Sequence, residues 1–144
     1  MNNQLKQAII SGIAGKVAMT IFMLWLGPLV GLPEMNTAAM LSMMIGLSVV
    51  LGWIMHFVIG IVLAAMYVFF FSKVARKISS PVVKGLVFGG VAFIIGQVGL
   101  GIMGALFGGM PPMEGSMMLM MIGSIIGHLI FGVVVVLIAK DQSV

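Results

Sequence analysis

The sequence lacks cysteine and contains very little charge. Its 144 residues include no cysteine, 7 lysine and arginine residues, and 3 aspartate and glutamate residues. The absence of cysteine excludes a disulfide framework, a thiolate nucleophile and a cysteine-ligated metal or cluster. A soluble domain carries about a quarter charged residues, so this chain has too few to form a water-exposed surface. A lipid bilayer is therefore the expected surrounding and partner.

Hydrophobic residues, in contrast, make up 62% of the chain. A membrane-spanning helix needs roughly 20 mostly apolar residues, and four stretches meet this need. The charge-free run from Met35 to Ser72 is longer than one span, so its early part, TAAMLSMMIG, is predicted to lie along the membrane surface. The predicted fold class is all-α, an integral membrane four-helix bundle. Its spans are predicted at about 8–30, 47–71, 85–107 and 117–139.

The few charges predict an orientation. With four crossings, all 7 basic residues fall on one side of the membrane, and Glu34 and Glu114 fall on the other. The positive-inside rule then predicts that both termini are cytoplasmic, and the expected location is the plasma (inner) membrane. Topology thus explains the pI of about 9.9, and no nucleic-acid partner is predicted. Lys16, inside the first span, is predicted to snorkel to the headgroups. We also expect this span to be retained, since no signal-peptide cleavage site follows it.

The chain has 2 histidines, and they lie in similar segments, WIMHFVIG (53–60) and IIGHLIFG (125–132). A shift of 72 positions superposes His56 on His128 and Gly60 on Gly132. This match indicates an internal repeat, about 1–72 and 73–144. The two halves would form similar helical hairpins related by a pseudo-twofold axis along the membrane normal.

Both histidines are candidate site residues, because ionisable side chains inside a membrane are costly and mark functional sites. If both face the pseudo-twofold axis, their imidazoles converge and suit bis-histidine ligation of a b-type haem, or a transition-metal site. Gln97, midway along the third span, is predicted to orient one imidazole through its second nitrogen. The leading hypothesis is a non-enzymatic membrane protein that holds haem or a metal at His56 and His128. It would serve electron transfer or be an accessory subunit of a redox complex.

Other interpretations stay open. A histidine four residues before a glycine is also typical of helix–helix packing. The histidines, Gln97 and Lys16 would line the polar path of a small transporter or channel. A third interpretation is a structural or assembly subunit without a ligand, in a homo-oligomer or a larger membrane complex. The spans contain no paired carboxylates, so no enzymatic activity is predicted.

Methionine is abundant, with 16 residues, many of them at the predicted outer ends of the spans. Thioethers favour monovalent copper, and MPPMEGSMM has closely spaced methionines. Methionine is also a flexible apolar residue that fills gaps in cores, and the favoured interpretation is that the methionines face lipid or pack. The sequence leaves open whether the outer segments bind copper.

Three segments of the chain resemble a family of uncharacterised small four-span prokaryotic membrane proteins. They are MLWLGPLVGLP (23–33), LGWIMHFVIG (51–60) and MIGSIIGHLIFG (121–132). The resemblance covers nearly the whole chain and includes the repeated His-x-x-x-Gly motif. It implies a four-span fold in a membrane, and it implies no activity.

Overall fold

The computed structural model of the protein describes residues 3–109, 112 and 115–139. Four of its helices are long and apolar enough to cross a membrane. The predicted all-α, four-span architecture is therefore confirmed, and the chain is a multi-pass membrane protein. A shorter helix follows the first span. The described helices are α1 (Asn3–Leu29), α2 (Thr37–Ile45), α3 (Val49–Lys77), α4 (Pro81–Phe107) and α5 (Met117–Ile138).

Three of the spanning helices extend, at one end each, beyond the apolar stretches that predicted them. α1 begins at Asn3 rather than near 8, and α3 continues to Lys77 rather than ending near 71. α4 begins at Pro81, directly after Ser80, whose hydroxyl accepts a hydrogen bond from the Val83 amide at 3.4 Å. Polar residues often form the first or last turns of a helix and cap its ends. A prediction from hydropathy leaves these residues out and therefore places such helix ends too far inward.

The segment predicted to lie along the membrane surface forms α2, which packs against α3. Asn36 caps its start by accepting a hydrogen bond from the Ala39 amide at 2.9 Å. Gly46 ends the helix in the left-handed region, with φ of 66°. The Ala38 carbonyl occupies the place where a Cβ atom of Gly52 would lie. The absence of a side chain at Gly52 therefore allows α2 to pack closely on the spanning helix.

Glycine also brings together the two helices of each hairpin. A Cβ atom built on Gly12 of α1 would lie 2.8 Å from the Gly60 carbonyl oxygen of α3. A Cβ atom built on Gly85 of α4 would lie 3.1 Å from the Gly132 carbonyl oxygen of α5. Such approaches require residues without side chains, as is common between membrane helices. Gly60 and Gly132, which the 72-residue shift superposes, thus make similar contacts with their preceding spans.

The two hairpins meet asymmetrically. Three residues after its contact glycine, α1 has Gly15, where a Cβ atom would lie 2.7 Å from the Phe131 ring of α5. At the same offset α4 has Phe88, which is buried, with its ring centroid 5.1 Å from that of Tyr67 and 5.2 Å from that of Phe71 on α3. The small residue lets α1 and α5 pack closely, whereas the aromatic side chains fill the space between α3 and α4.

Candidate functional site

Lys16 lies on the face of α1 that meets α3, and its side chain is only 4% exposed. The stem crosses Gly60, where a Cβ atom would overlap the lysine Cγ. The Nζ atom lies 3.8 Å from the Met19 Sδ and 5.4 Å from the centroid of the Phe131 ring. The snorkelling prediction is therefore wrong. Gly60 leaves a groove for the stem, and the aromatic face of Phe131 attracts the cation, so the amine points into the bundle.

The charge of Lys16 has no acidic partner within the spans. None of the four spanning segments contains aspartate or glutamate. A buried ammonium loses its hydration, and an opposite charge is normally needed to offset that loss. The Met19 thioether and the Phe131 ring offset only part of this lost hydration, since a cation–π contact contributes about 0.5–2 kcal/mol. The region around Lys16 therefore carries uncompensated positive charge when the amine is protonated.

His56 projects from α3 towards α1 and is 2% exposed. Its Nε2 lies 3.1 Å from the Thr20 Oγ1. Thr20 follows Lys16 by four residues, so the two side chains lie on one face of α1. The His56 Nδ1 is buried and has no hydrogen-bond partner among the described residues. One ring nitrogen is thus positioned by α1, and the other lacks a hydrogen-bond partner among the described residues.

His128 of α5 packs against α4 rather than across the bundle, and it is 9% exposed. Its Nδ1 lies 2.8 Å from the Ser124 carbonyl oxygen. Because a carbonyl only accepts, Nδ1 donates and Nε2 carries the lone pair. A Cβ atom built on Gly96 would lie 3.1 Å from that Nε2, and the Phe93 ring lies edge-on with its centroid 5.6 Å away. The α4 backbone therefore covers the lone-pair nitrogen.

Three ionisable side chains from three spans share one region of the bundle. Lys16 interacts electrostatically with both histidines, and His128 interacts with His56. We call these three residues, together with Thr20, the polar centre. Among the residues that the structure describes, no group of three or more His, Cys, Asp or Glu side chains could hold a metal ion.

A small cavity borders His56 at the end of the bundle that contains α2. Its volume of about 10 Å³ admits roughly one water molecule. Sites for organic cofactors usually occupy about 300–1,000 Å³, so a haem does not fit this cavity. The residues around it come from α1, α2, α3 and the segment before α2: Thr20, Met23, Leu24, Met35, Asn36, Thr37, Ala38, Trp53 and His56.

Gln97 does not make the hydrogen bond that the sequence predicted for it. The partners of the two imidazoles are instead the Thr20 hydroxyl and the Ser124 carbonyl. Gln97 is half-buried on α4 and directly follows Gly96, the residue that faces His128. Consecutive helical residues point about 100° apart. The backbone at Gly96 therefore meets the imidazole, and the Gln97 side chain is turned aside.

The methionines considered for copper have different surroundings. Met35 borders the cavity beside His56 together with Met23, which the sequence did not single out, whereas Met117 at the start of α5 is 72% exposed. Within the described part of the chain, Met23 and Met35 therefore combine thioethers with an imidazole. Some residues of the second loop fall outside the described part of the chain: Met110, Met113 and Glu114.

The sequence interpretation counted Thr20 among the few polar residues of the spans but did not connect it with His56, and it gave Trp53 no role. A signal for Thr20 exists, because Gly12, Lys16 and Thr20 are spaced four residues apart and so mark one face of α1. That face meets α3 through Gly12, which places Thr20 beside His56. Trp53 lies one turn before His56, with its ring edge-on at a centroid distance of 5.9 Å.

Comparison with curated proteins and with solved structures gives no match. A family model, however, matches residues 2–140. This range includes all four spans and every residue of the polar centre. The description of the family assigns no function, so the site has to be interpreted from its own geometry. By this match, the chain belongs to the family of unknown function DUF6789.

Proposed function

We propose that this protein is a non-enzymatic carrier or channel that moves small anions across the plasma membrane through the polar centre. The observation that carries the proposal is the burial of Lys16, 4% exposed, in spans without a carboxylate. Ionisable residues inside membrane spans usually mark ion or substrate paths. An anion that passes Lys16 would supply the missing counter-charge.

The neighbours of Lys16 support an anion rather than a cation. The His56 ring and the Thr20 hydroxyl use one donor in their mutual hydrogen bond and keep one more, which replaces part of the hydration shell of an anion. A cation on the same path would meet the ammonium charge in surroundings of low dielectric constant, where repulsion is strong. The location of Lys16 between α3 and the Phe131 ring of α5 puts this charge where the two hairpins meet.

The principal test compares chloride release from proteoliposomes with the native protein and with Lys16→Met. The substitution keeps an unbranched side chain of similar length and removes the charge. A hydrogen bond to a charged group contributes about 1.5–3 kcal/mol, and each 1.4 kcal/mol corresponds to about tenfold. We therefore expect the variant to release chloride about 10- to 100-fold more slowly.

Two further variants separate charge from packing. Lys6→Met removes a charge from an exposed position of α1 and should leave the flux unchanged. Lys16→Arg keeps the charge and should retain more flux than Lys16→Met. The proposal is overturned by native flux no faster than that of empty vesicles, by equal flux in Lys16→Met, or by faster flux of potassium than of chloride.

A haem between His56 and His128 is the competing prediction. One observation favours a ligand role for His128, because the Nδ1–H bond to Ser124 leaves Nε2 unprotonated, as in metal-binding histidines. The cover over that Nε2 and the size of the cavity beside His56 argue against haem. We expect no Soret band from protein expressed with added haem. A Soret band lost in His56→Ala and His128→Ala would instead support the redox function.

A further inference from the structure

Helix α2 begins at the cavity beside His56, and its first two residues, Thr37 and Ala38, border it. The first amides of a helix have no acceptor within the helix. The Asn36 side chain accepts from the Ala39 amide at 2.9 Å, and the Asn36 carbonyl accepts from the Met40 amide at 3.0 Å. Helix geometry thus leaves the amides of Thr37 and Ala38 for a ligand. The partial positive charge at a helix N-terminus favours an anion there.

His56 provides a second, independent observation at the same cavity. It borders the space, is 2% exposed, and its Nδ1 has no hydrogen-bond partner among the described residues. When Thr20 donates to Nε2, the ring proton resides on Nδ1. Nδ1 is then a buried donor without an acceptor, which is unfavourable. A bound anion would accept this hydrogen bond.

The charge near the cavity is positive. Lys16 interacts electrostatically with His56. Glu34, the acidic residue nearest to Asn36 in the sequence, is exposed and does not border the cavity. The volume of about 10 Å³ admits one particle of about the size of a water molecule. Phosphate and organic carboxylates exceed this size.

We infer that the cavity is a binding subsite for a single small inorganic anion, of about halide size, at the entrance to the polar centre. Its donors are the N-terminus of α2, the His56 ring and the Thr37 hydroxyl, which lies 4.0 Å from the weak acceptor Met23 Sδ. The inference rests on the proposed function and narrows its substrate to halide-sized anions.

The same cavity has a donor set that suits monovalent copper. The thioethers of Met23 and Met35 border it together with the His56 imidazole, and such soft ligands favour this ion. The N-terminus of α2 and the charge of Lys16 both oppose a cation. We therefore favour the anion, and copper is an outcome that the experiment has to distinguish.

Trp53 provides a direct reporter, because it borders the cavity and the chain has only 2 tryptophans. The other, Trp25, is 61% exposed, so Trp25→Phe leaves one reporter with little disturbance. Bromide quenches indole fluorescence on contact. At constant ionic strength, we expect quenching of the purified Trp25→Phe protein to saturate with bromide, and chloride to reverse it. Collisional quenching from bulk solvent would rise without saturation.

Variants on the Trp25→Phe background assign the binding to the cavity. His56→Phe should abolish saturation. Thr37→Val keeps the shape and removes one hydroxyl, so we expect bromide to bind about 3- to 10-fold more weakly, the effect of one neutral hydrogen bond. Ser72→Ala is the matched control, since it removes a hydroxyl that donates to the Val68 carbonyl at 3.2 Å, far along α3. It should bind bromide unchanged.

Each outcome supports or overturns the subsite. Quenching without saturation, or saturation that neither His56→Phe nor Thr37→Val alters, overturns it. Quenching by monovalent copper without an effect of halides assigns the cavity to copper and also overturns it. Saturable bromide binding without chloride flux in vesicles supports the subsite and contradicts the proposed anion transport. Chloride flux without saturable quenching supports the transport and contradicts the subsite.

Discussion

At the scale of single residues, the polar centre depends on the small size of Gly60. The Lys16 stem occupies the place of a side chain at this position, and a Cβ atom there would also lie 3.0 Å from the Gly12 carbonyl oxygen. Any larger residue must displace the lysine or separate α1 from α3. The burial of the Lys16 side chain and the close contact between α1 and α3 thus both depend on Gly60.

We therefore expect Gly60→Ala to lower the thermal unfolding temperature in detergent. Overpacking of a close contact costs about 1–3 kcal/mol, more than the roughly 0.5–1 kcal/mol by which alanine stabilises a helix. Gly90→Ala is the control, because nothing lies within 4 Å of a Cβ atom at Gly90 of α4. It should leave the unfolding temperature unchanged or raise it. Equal stability of the two variants would contradict the close packing at Gly60.

The sequence identified His56, His128 and Lys16 as the polar residues of the apolar runs, but it did not identify their partners. Burial of the two histidines follows from composition, since each lies in an apolar stretch, whereas the sequence predicted that Lys16 would snorkel. A partner depends on which helices pack together and on their rotation about their axes. The close contact of Gly12 with α3 places Thr20 beside His56. Gln97 follows Gly96, the residue that faces His128, and its side chain therefore points in another direction.

At the scale of whole elements, the four spans could be predicted because crossing a membrane demands a minimum length of apolar sequence. The helical structure and packing of α2 could not. Its residues carry no charge, like those at the start of the span that follows, and the boundary depends on two local features. These are the Asn36 cap and the left-handed Gly46.

The pairing of the hairpins was also beyond the reach of the sequence pattern. Gly12 of α1 and Gly85 of α4 make similar contacts at Gly60 and Gly132, although the 72-residue shift does not superpose these two glycines. A single difference, Gly15 against Phe88, gives α1 a close neighbour in α5 and fills the space between α3 and α4 with aromatic rings. Lys16 thereby lies beside Phe131 of the other hairpin, which a symmetric pair would not require.

At the scale of the whole molecule, the described basic residues outside the polar centre and the acidic residue Glu34 lie at opposite ends of the bundle. The start of α1, the end of α3 and the start of α4 share one end, because consecutive spans run antiparallel. Glu34 and α2 lie at the other end, with the cavity. The described basic residues outside the polar centre all belong to the first end: Lys6, Lys73, Arg76, Lys77 and Lys84.

This distribution predicts that the end with Lys77 is cytoplasmic and that the α2 end faces outward. Because the chain has no cysteine, single variants at exposed positions report the orientation without background labelling. An impermeant maleimide should label Glu34→Cys in intact cells, and should label Lys77→Cys only in inverted membrane vesicles. The reverse pattern would place the cavity on the cytoplasmic side. In the expected orientation an external anion meets the α2 N-terminus and His56 before Lys16, so the proposed subsite would select anions for uptake.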